Sequence, residues 1–356
     1  KVTLTTGEPM VIGNSYSITM NNLATVSGNE LRDGLQIAFT YAPQGNGYIL
    51  REYWTGITGS LVTNLTGNPN YPDNPTGKSF PSSFEGPVNW ADSYGTRVRG
   101  YVHPPTSGDY VFWIASDNNS ELWLSTDEAP ANKVMIASVS GSTGSREWTK
   151  YGSQQSAPVA LMAGRKYYIE ALQKERTGGD NIAVRWQLPG GVWEDPADPG
   201  APIPGVRLSQ WGPPPDFSPP TVPAHLSADV ISSNRVDLSW TASDDPDSGV
   251  HHYVIYRDGR SHATSTTTSY SDVAVAAGLR HHYRVSAANP SYVESGPSAT
   301  ISVAPVGIAS AAPLDATTVQ LVFTEPMDRT LAEQVANYAL SGGATITAAS
   351  LQADQL

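Results

Sequence analysis

The stretch Gly100-Tyr-Val-His-Pro-Pro-Thr-Ser-Gly-Asp-Tyr-Val-Phe-Trp-Ile-Ala-Ser-Asp-Asn-Asn-Ser-Glu-Leu-Trp-Leu124 decides the fold. Among its apolar residues, Tyr110, Phe112 and Ile114, then Leu122 and Leu124, fall at every second position. That period belongs to a strand with one buried face. Between the two runs stands Asp117-Asn118-Asn119-Ser120, a turn composition. The same alternation returns in Tyr16, Ile18, Met20, in Val236, Leu238, Trp240 and in Tyr253, Ile255. Turn signals recur about every 8–12 residues, the spacing of sandwiches and barrels. One patch, Asp328 to Val335, offers a cap and a short amphipathic helical turn. The fold class is all-β, a string of antiparallel β-sandwich domains.

Composition narrows the function. Over 356 residues, Lys+Arg is 21 and Asp+Glu is 33, a net charge of −12. So acidic a chain lacks the basic face that nucleic acid requires. No apolar run nears the roughly 18 residues of a membrane span. Cysteine is absent, which excludes disulfides, thiolate zinc sites and cysteine nucleophiles. The length suits two to three domains. The proline-rich stretch Gly212 to Pro220 reads as an extended spacer, and Ala304 to Gly307 as a shorter one.

Residues 48–211 carry, in order, the stretch quoted above, Gly164-Arg-Lys-Tyr-Tyr-Ile-Glu-Ala-Leu-Gln173, Gly178-Gly-Asp-Asn-Ile-Ala-Val-Arg-Trp186 and Ile203-Pro-Gly-Val-Arg-Leu-Ser209. This order resembles the protective-antigen-type β-sandwich domain of anthrax protective antigen, yeast flocculins and many bacterial glycosidases and surface proteins. In the lectin members two adjacent acidic residues bind Ca²⁺ with an Asn from a neighbouring loop, and the ion coordinates sugar hydroxyls. The resemblance places the acidic pair on Asp117 and Asn118, with Asp180 and Asn181 in a loop able to add oxygens. The candidate carbohydrate-binding residues are therefore Asp117, Asn118, Asp180 and Asn181, and the candidate Ca²⁺ ligands Asp117, Asn118 and Asp180. Asn at 118 departs from the pattern and removes one formal charge, which weakens a Ca²⁺ site. The plain alternative is a turn between two strands. Trp54, Trp90, Trp113, Trp123, Trp148 and Trp186 are either core or sugar-stacking residues, and core is the commoner fate.

Residues 219–305 hold Val236-Asp-Leu-Ser-Trp240, Tyr253-Val-Ile-Tyr-Arg-Asp-Gly259 and His282-Tyr-Arg-Val-Ser-Ala-Ala288, which resemble a fibronectin type III domain. The resemblance makes Trp240 a core residue and Tyr283 a strand tyrosine whose hydroxyl returns to local backbone. It implies a spacer or adhesion module. His251-His252 and His281-His282 begin two antiparallel strands, so the pairs lie at opposite ends, roughly 20 Å apart at about 3.3 Å per residue. No metal bridges that distance.

The two ends read as halves of one domain. Residues 306–356, with Val319-Gln-Leu-Val-Phe-Thr-Glu-Pro-Met-Asp328 and Asn337-Tyr338, resemble the first half of a bacterial Ig-like domain. Residues 1–43, with Gly13-Asn-Ser-Tyr-Ser-Ile-Thr-Met20, resemble its closing half. Joined as Leu356 to Lys1, they reach roughly the length of one Ig-like domain. The expectation is that this domain is completed by a neighbouring repeat or subunit, through a covalent tandem link or through strand exchange.

Chemistry is not evident. Glu52, Glu85, Asp92, Glu121 and Glu170 show no spacing that singles out a hydrolytic pair. There is no Gly-x-Ser-x-Gly, His-Glu-x-x-His or phosphate loop. The sequence reads as a non-enzymatic structural and adhesive repeat unit of an extracellular bacterial filament or giant cell-surface protein. It would assemble head to tail with itself and bind glycans, with Ca²⁺ as its one candidate cofactor and no nucleic acid or membrane span. The alternative is a Ca²⁺-dependent, lectin-like accessory region of a secreted glycoside hydrolase or adhesin.

Overall fold

The computed structural model describes residues 4, 6–7, 15–40, 45–342 and 345–352. It is nearly all β and divides into two units, Lys1–Pro215 and Asp216–Leu356.

The first unit begins with a two-stranded antiparallel ribbon, β1 (Ser15–Met20) and β2 (Leu35–Thr40). A sandwich follows. Its strands are β3 (Leu50–Thr55), β4 (Gly77–Ser79), β5 (Tyr94–Val102), β6 (Gly108–Asp117), β7 (Asn119–Ser125), β8 (Lys133–Val139), β9 (Val159–Leu161), β10 (Tyr167–Glu175), β11 (Asn181–Leu188), β12 (Val192–Trp193) and β13 (Leu208–Gln210). One sheet has the order β4-β3-β5-β10-β7-β8, with β13 also on β5; the other is β12-β11-β6-β9. The alternating residues face each other across the sheets: Tyr110, Phe112, Ile114, Leu122, Leu124, Ile169, Val184 and Trp186 are buried in one core. Each such ring or branched chain contributes about 1.5–3 kcal/mol by leaving water.

The quoted stretch does form two strands, but the turn places them in different sheets. β6 pairs with β11 and β7 with β10 and β8. β13 continues the line of β3 along one side of β5: Leu50 pairs with Arg99 and Gln210 with Gly100. Gly100 is required there, because a Cβ would sit 2.2 Å from the Ser209 carbonyl oxygen. A short helix, α1 (Val62–Thr66), seals the sheet beside Trp54 and Ile57 through Leu65.

The outward face of the larger sheet is polar but satisfied. Glu52 accepts from Arg97 Nε (2.9 Å) and Arg99 Nε (2.8 Å). Glu170 accepts from Lys133 Nζ and Tyr168 Oη. Trp211 packs against Tyr101 and Tyr168, under the Arg99 guanidinium.

The second unit opens with two sheets, β14 (Ala224–Ser232), β15 (Arg235–Thr241) and β18 (Ser269–Asp272) against β16 (His252–Arg257), β17 (Arg260–Ser265), β19 (His281–Ala288) and β20 (Ile301–Val303). Val236, Leu238, Trp240, Tyr253, Ile255, Tyr283 and Val285 form its core. The expected backbone partner of Tyr283 is corrected: its hydroxyl donates to Asp272 Oδ2 at 2.8 Å. Asp272 is fully buried and also takes Arg257 and the Ala274 N–H, so it captures the hydroxyl first. The first spacer is also shorter than its prolines suggest. Asn289 Nδ2 holds the carbonyls of Asp216 and Ser218, leaving residues 212–215 as the link. The second spacer is tied down by Gly278 N to the Pro305 carbonyl.

The unit ends in a ribbon, β21 (Ile308–Pro313) and β22 (Val319–Phe323), then α2 (Arg329–Ala332), capped by Asp328 as its sequence requires. The junction of Leu356 with Lys1 lies outside the described residues.

Candidate functional site

The site grows from the ends of β6 and β11. Asp117 closes β6 and Asn181 opens β11, directly opposite in register. Asn118 stands between β6 and β7. The Asp117–Asn118 peptide is cis. Gln173 Nε2 donates to the Asp117 carbonyl at 2.5 Å, and Ser116 Oγ to the Asn118 carbonyl at 2.7 Å.

The amide at 118 has a local reason. Its Nδ2 donates to Asp117 Oδ1 at 2.6 Å, where a second carboxylate would repel the first. Its Oδ1 accepts the Arg176 backbone N–H at 2.9 Å. Asn118 thus orients Asp117 and ties the 117–119 turn to the loop after β10.

Asp180 is 1% exposed. Its Oδ2 accepts the N–H groups of Trp90 (2.8 Å) and Ala91 (2.9 Å), and its carbonyl takes Asn89 N. Asp92 Oδ1 returns the link by accepting Gly178 N at 3.0 Å. The two loops are cross-braced. Asp180 Oδ1 is left buried without a donor. Asn181 anchors a third loop, Nδ2 donating to the Thr143 carbonyl, and its Oδ1 is also unpartnered.

Two further oxygens, of Asn89 and Asp117, converge on Gly179, next to Asp180 in the chain. The position a Cβ would take on Gly179 lies 3.2 Å from Asn89 Oδ1 and 4.0 Å from Asp117 Oδ2. The field there is negative. Burial holds the Asp117 carboxyl above its ordinary range, with Asn118 and Lys150 pulling it down and Asp180 pushing it up. Glu175, fully buried with neither oxygen bonded, is pushed up to about 7 by burial, then by Asp117 and Asp180. Buried acceptors without donors, in a negative field, suit a hard cation, which takes carboxylate, amide and carbonyl oxygens together. Among the described residues no three His, Cys, Asp or Glu side chains are grouped for a metal, so such a site draws on amide and backbone oxygens.

Beside this place the surface opens. A groove of about 290 Å³ is lined by Asn118, Asn119, Gly141, Ser142, Arg176 and Thr177. A second, of about 390 Å³, adjoins it and shares Ser60, Arg176 and Thr177. Of the six tryptophans considered from sequence, Trp54, Trp113, Trp148 and Trp186 are buried, Trp123 is half-buried and Trp90 is 40% exposed. Trp90 packs edge-on to Tyr53 and Tyr94, with Arg51 over its ring. Asn89, Glu175 and Arg176 escaped the sequence reading, and Asp92 was weighed there only as a hydrolytic carboxylate; the Gly178-Gly179 pair before Asp180 was the available signal of a close approach.

In the second unit, His252 lies opposite Ala288, whereas His281 Nδ1 meets Asp258 beyond the other end of β16. The two histidine pairs are apart. In the acidic stretch Asp244-Asp245-Pro246-Asp247-Ser248-Gly249, Asp245 accepts the Asp247 and Ser248 N–H groups, a turn role.

Residues 46–198 match the family model described as the PA14 domain. Mouse N-acetyl-beta-glucosaminyl-glycoprotein 4-beta-N-acetylgalactosaminyltransferase 1 is 39% identical over 155 residues, 41% of this chain and 14% of the transferase. The chain therefore spans a small part of that curated relative. Solved structures similar to parts of the chain include the PA14 sugar-binding domain from RTX adhesin and a Fn3-like protein from Clostridium thermocellum. The first is 12% identical, covers 42% of this chain and 93% of that chain, and has a TM-score of 0.33. The second is 35% identical, covers 24% and 92%, and has a TM-score of 0.21. No helix among the described residues is long and apolar enough to cross a membrane.

Proposed function

We propose that the sandwich of the first unit is a cation-assisted glycan-binding module, and that the chain is a non-enzymatic adhesive unit working outside the cell. One observation carries the reading: Asp117 Oδ2 and Asn89 Oδ1 converge on Gly179, Asp180 Oδ1 next to it in the chain is buried without a donor, and Asn118, which follows Asp117, lines an open groove walled by hydroxyls, amides and backbone. The match to the PA14 family model supports it. Asp117, Asp180, Asn89 and backbone oxygens of the 176–180 loop would hold Ca²⁺, and Asn118 orients Asp117. Bound there, the ion supplies positive charge and open positions for vicinal sugar hydroxyls. Ser60, Asn119, Ser142 and Thr177 supply the polar groups that fix a saccharide's orientation. The test is a glycan array probed with the full chain in Ca²⁺ and in EDTA. Binding that needs Ca²⁺ and is lost in D117N supports the proposal; glycan binding indifferent to both overturns the ion's part in it.

A second reading, self-assembly, rests on the two ribbons. Leu23, Val26, Leu35, Ile37 in one and Ile308, Leu314, Val319 in the other are exposed, and among the described residues neither ribbon contributes to the four apolar cores. A lone two-stranded ribbon is marginal in water, and its apolar face needs a cover. We propose that the ribbon of residues 306–352 in one copy covers that of residues 15–40 in the next, completing an Ig-like sandwich head to tail. Denatured mass and native sedimentation decide it. A mass near multiples of 37.9 kDa in denaturant means a covalent array. A single mass with native polymers means exchange between subunits. A chain that stays monomeric at high concentration refutes the assembly.

A further inference from the structure

The groove beside the proposed ion site has a cationic rim, and we infer that its ligand is an acidic saccharide, whose carboxylate or sulfate group is received by Arg176. This rests on the glycan-binding reading above and narrows its substrate class.

Arg176 lines both grooves. Its backbone is fixed twice, the N–H by Asn118 Oδ1 and the carbonyl by Ser93 N and Oγ. Its guanidinium is exposed and makes no ion pair, hydrogen bond or ring contact among the described residues. Of the other arginines in the sandwich, Arg165 is likewise exposed without a side-chain partner but lines neither groove, and the rest are committed. Arg97 and Arg99 are held by Glu52, Arg146 by Glu85 and Arg207 by Glu194. Arg51 and Arg185 lie over aromatic rings. A rigidly based, uncommitted guanidinium in a polar groove presents a planar fork, which matches carboxylate and sulfate oxygens two at a time.

Lys150 adds a second positive charge. Its Nζ donates to the carbonyl of Ser142, in the wall of the smaller groove, and its charge reaches the Asp117 carboxyl. A neutral sugar requires neither cation. The groove residues Asn118 and Arg176 adjoin Asp117 and Glu175 in the chain, and Asp92 and Asp180 act on Glu175, so the neighbourhood repels an anion as long as it holds no ion. A divalent cation at Asp117 and Asp180 offsets the charge of two of these four carboxylates, so Arg176 and Lys150 can then hold an anion that the empty site repels. Recognition of the acidic sugar is therefore conditional on the cation, and Arg176 selects for the acidic group.

The test titrates the full chain, at low ionic strength and with Ca²⁺ buffered in excess, with three probes: an oligogalacturonide, a sulfated galactan oligosaccharide and a neutral galactan oligosaccharide of equal length. The expected result is that one or both acidic probes bind about tenfold tighter than the neutral one. The preference fades with added salt, and R176Q removes it with little change in neutral binding. K150Q reduces it by a smaller factor. The carboxylate and sulfate arms tell which anion is read. Equal binding of neutral and acidic probes, or a preference that survives in R176Q, overturns the inference while leaving the glycan-binding reading standing. Absence of binding to any saccharide overturns both.

Discussion

Asp117 and Asp180 differ in what they do without an ion, and a pair of substitutions separates the two roles. Asp180 Oδ2 serves the Trp90 and Ala91 N–H groups, so D180A leaves two backbone donors facing an apolar methyl. Hydrogen bonds to a charged acceptor are worth about 1.5–3 kcal/mol each, and water reaches part of this loop, so the expected loss is about 2–4 kcal/mol in EDTA. Asp117 holds no backbone N–H through its side chain. In D117N one amide can still accept from Asn118 Nδ2, and repulsion from Asp180 and Glu175 falls, so stability in EDTA stays within about 0.5 kcal/mol of the parent. At a Ca²⁺ concentration 100 times its Kd, the parent gains about 2.7 kcal/mol and D117N gains nothing. Urea unfolding of the full chain, followed by the tryptophan fluorescence of the sandwich core, measures all four numbers. The reasoning fails if Ca²⁺ stabilises D117N as much as the parent, or if D180A unfolds at the parent's midpoint in EDTA.

Other expectations follow from the same geometry. G179A puts a methyl between Asn89 Oδ1 and Asp117 Oδ2; Ca²⁺ affinity by calorimetry drops about tenfold or more while the EDTA midpoint moves by less than about 1 kcal/mol. E52Q leaves the guanidinium groups of Arg97 and Arg99 sharing a neutral amide in a buried setting, and costs about 3–5 kcal/mol in the same urea assay. His103, 8% exposed, is pushed down to about 4, chiefly by burial and next by Lys166, so the unfolded chain takes up its proton first. Its contribution is intact above the unfolded value near 6.5 and is lost as pH falls from there through about 4. Between pH 7 and 4.5 the parent should lose about 2–3 kcal/mol more than H103Q; equal losses refute the buried neutral imidazole.

What the sequence disclosed was local. The alternation around Tyr110 and Leu122 gave the strands and the core face, because side-chain direction in a strand depends on nothing beyond position. Asp117-Asn118 was singled out by the family resemblance, while the interrupted alternation by itself marked only a turn. The partition of β6 and β7 between two sheets was not legible, for it is settled by pairing with β11 and β10, far along the chain. Asn89 and Arg176 were missed, and Asp92 was not assigned to the site, for the same reason: each is brought there by a bond between loops distant in sequence, to Asp180, Asn118 and Gly178 respectively. Trp90 and Trp148 both sit in loops outside any alternating run, yet one is exposed and the other buried, so local pattern did not decide their fate. The Tyr283 hydroxyl chose a carboxylate on β18 that no neighbouring residue announces.

The alignment of β3 and β13 on one side of β5 has a mechanical meaning. The chain comes into the sandwich opposite Arg99 and leaves it opposite Gly100, and Asn46 Nδ2 bonds Gln210 Oε1 across the two. A pull applied at residues 46 and 211 therefore runs across a few hydrogen bonds and the Trp211 contact, bypassing the core. The grooves lie by the Tyr94 end of β5, about 17 Å away at about 3.4 Å per residue. The sandwich hangs from the line of tension as a pendant, and its grooves keep their shape while the strand that carries them is under load.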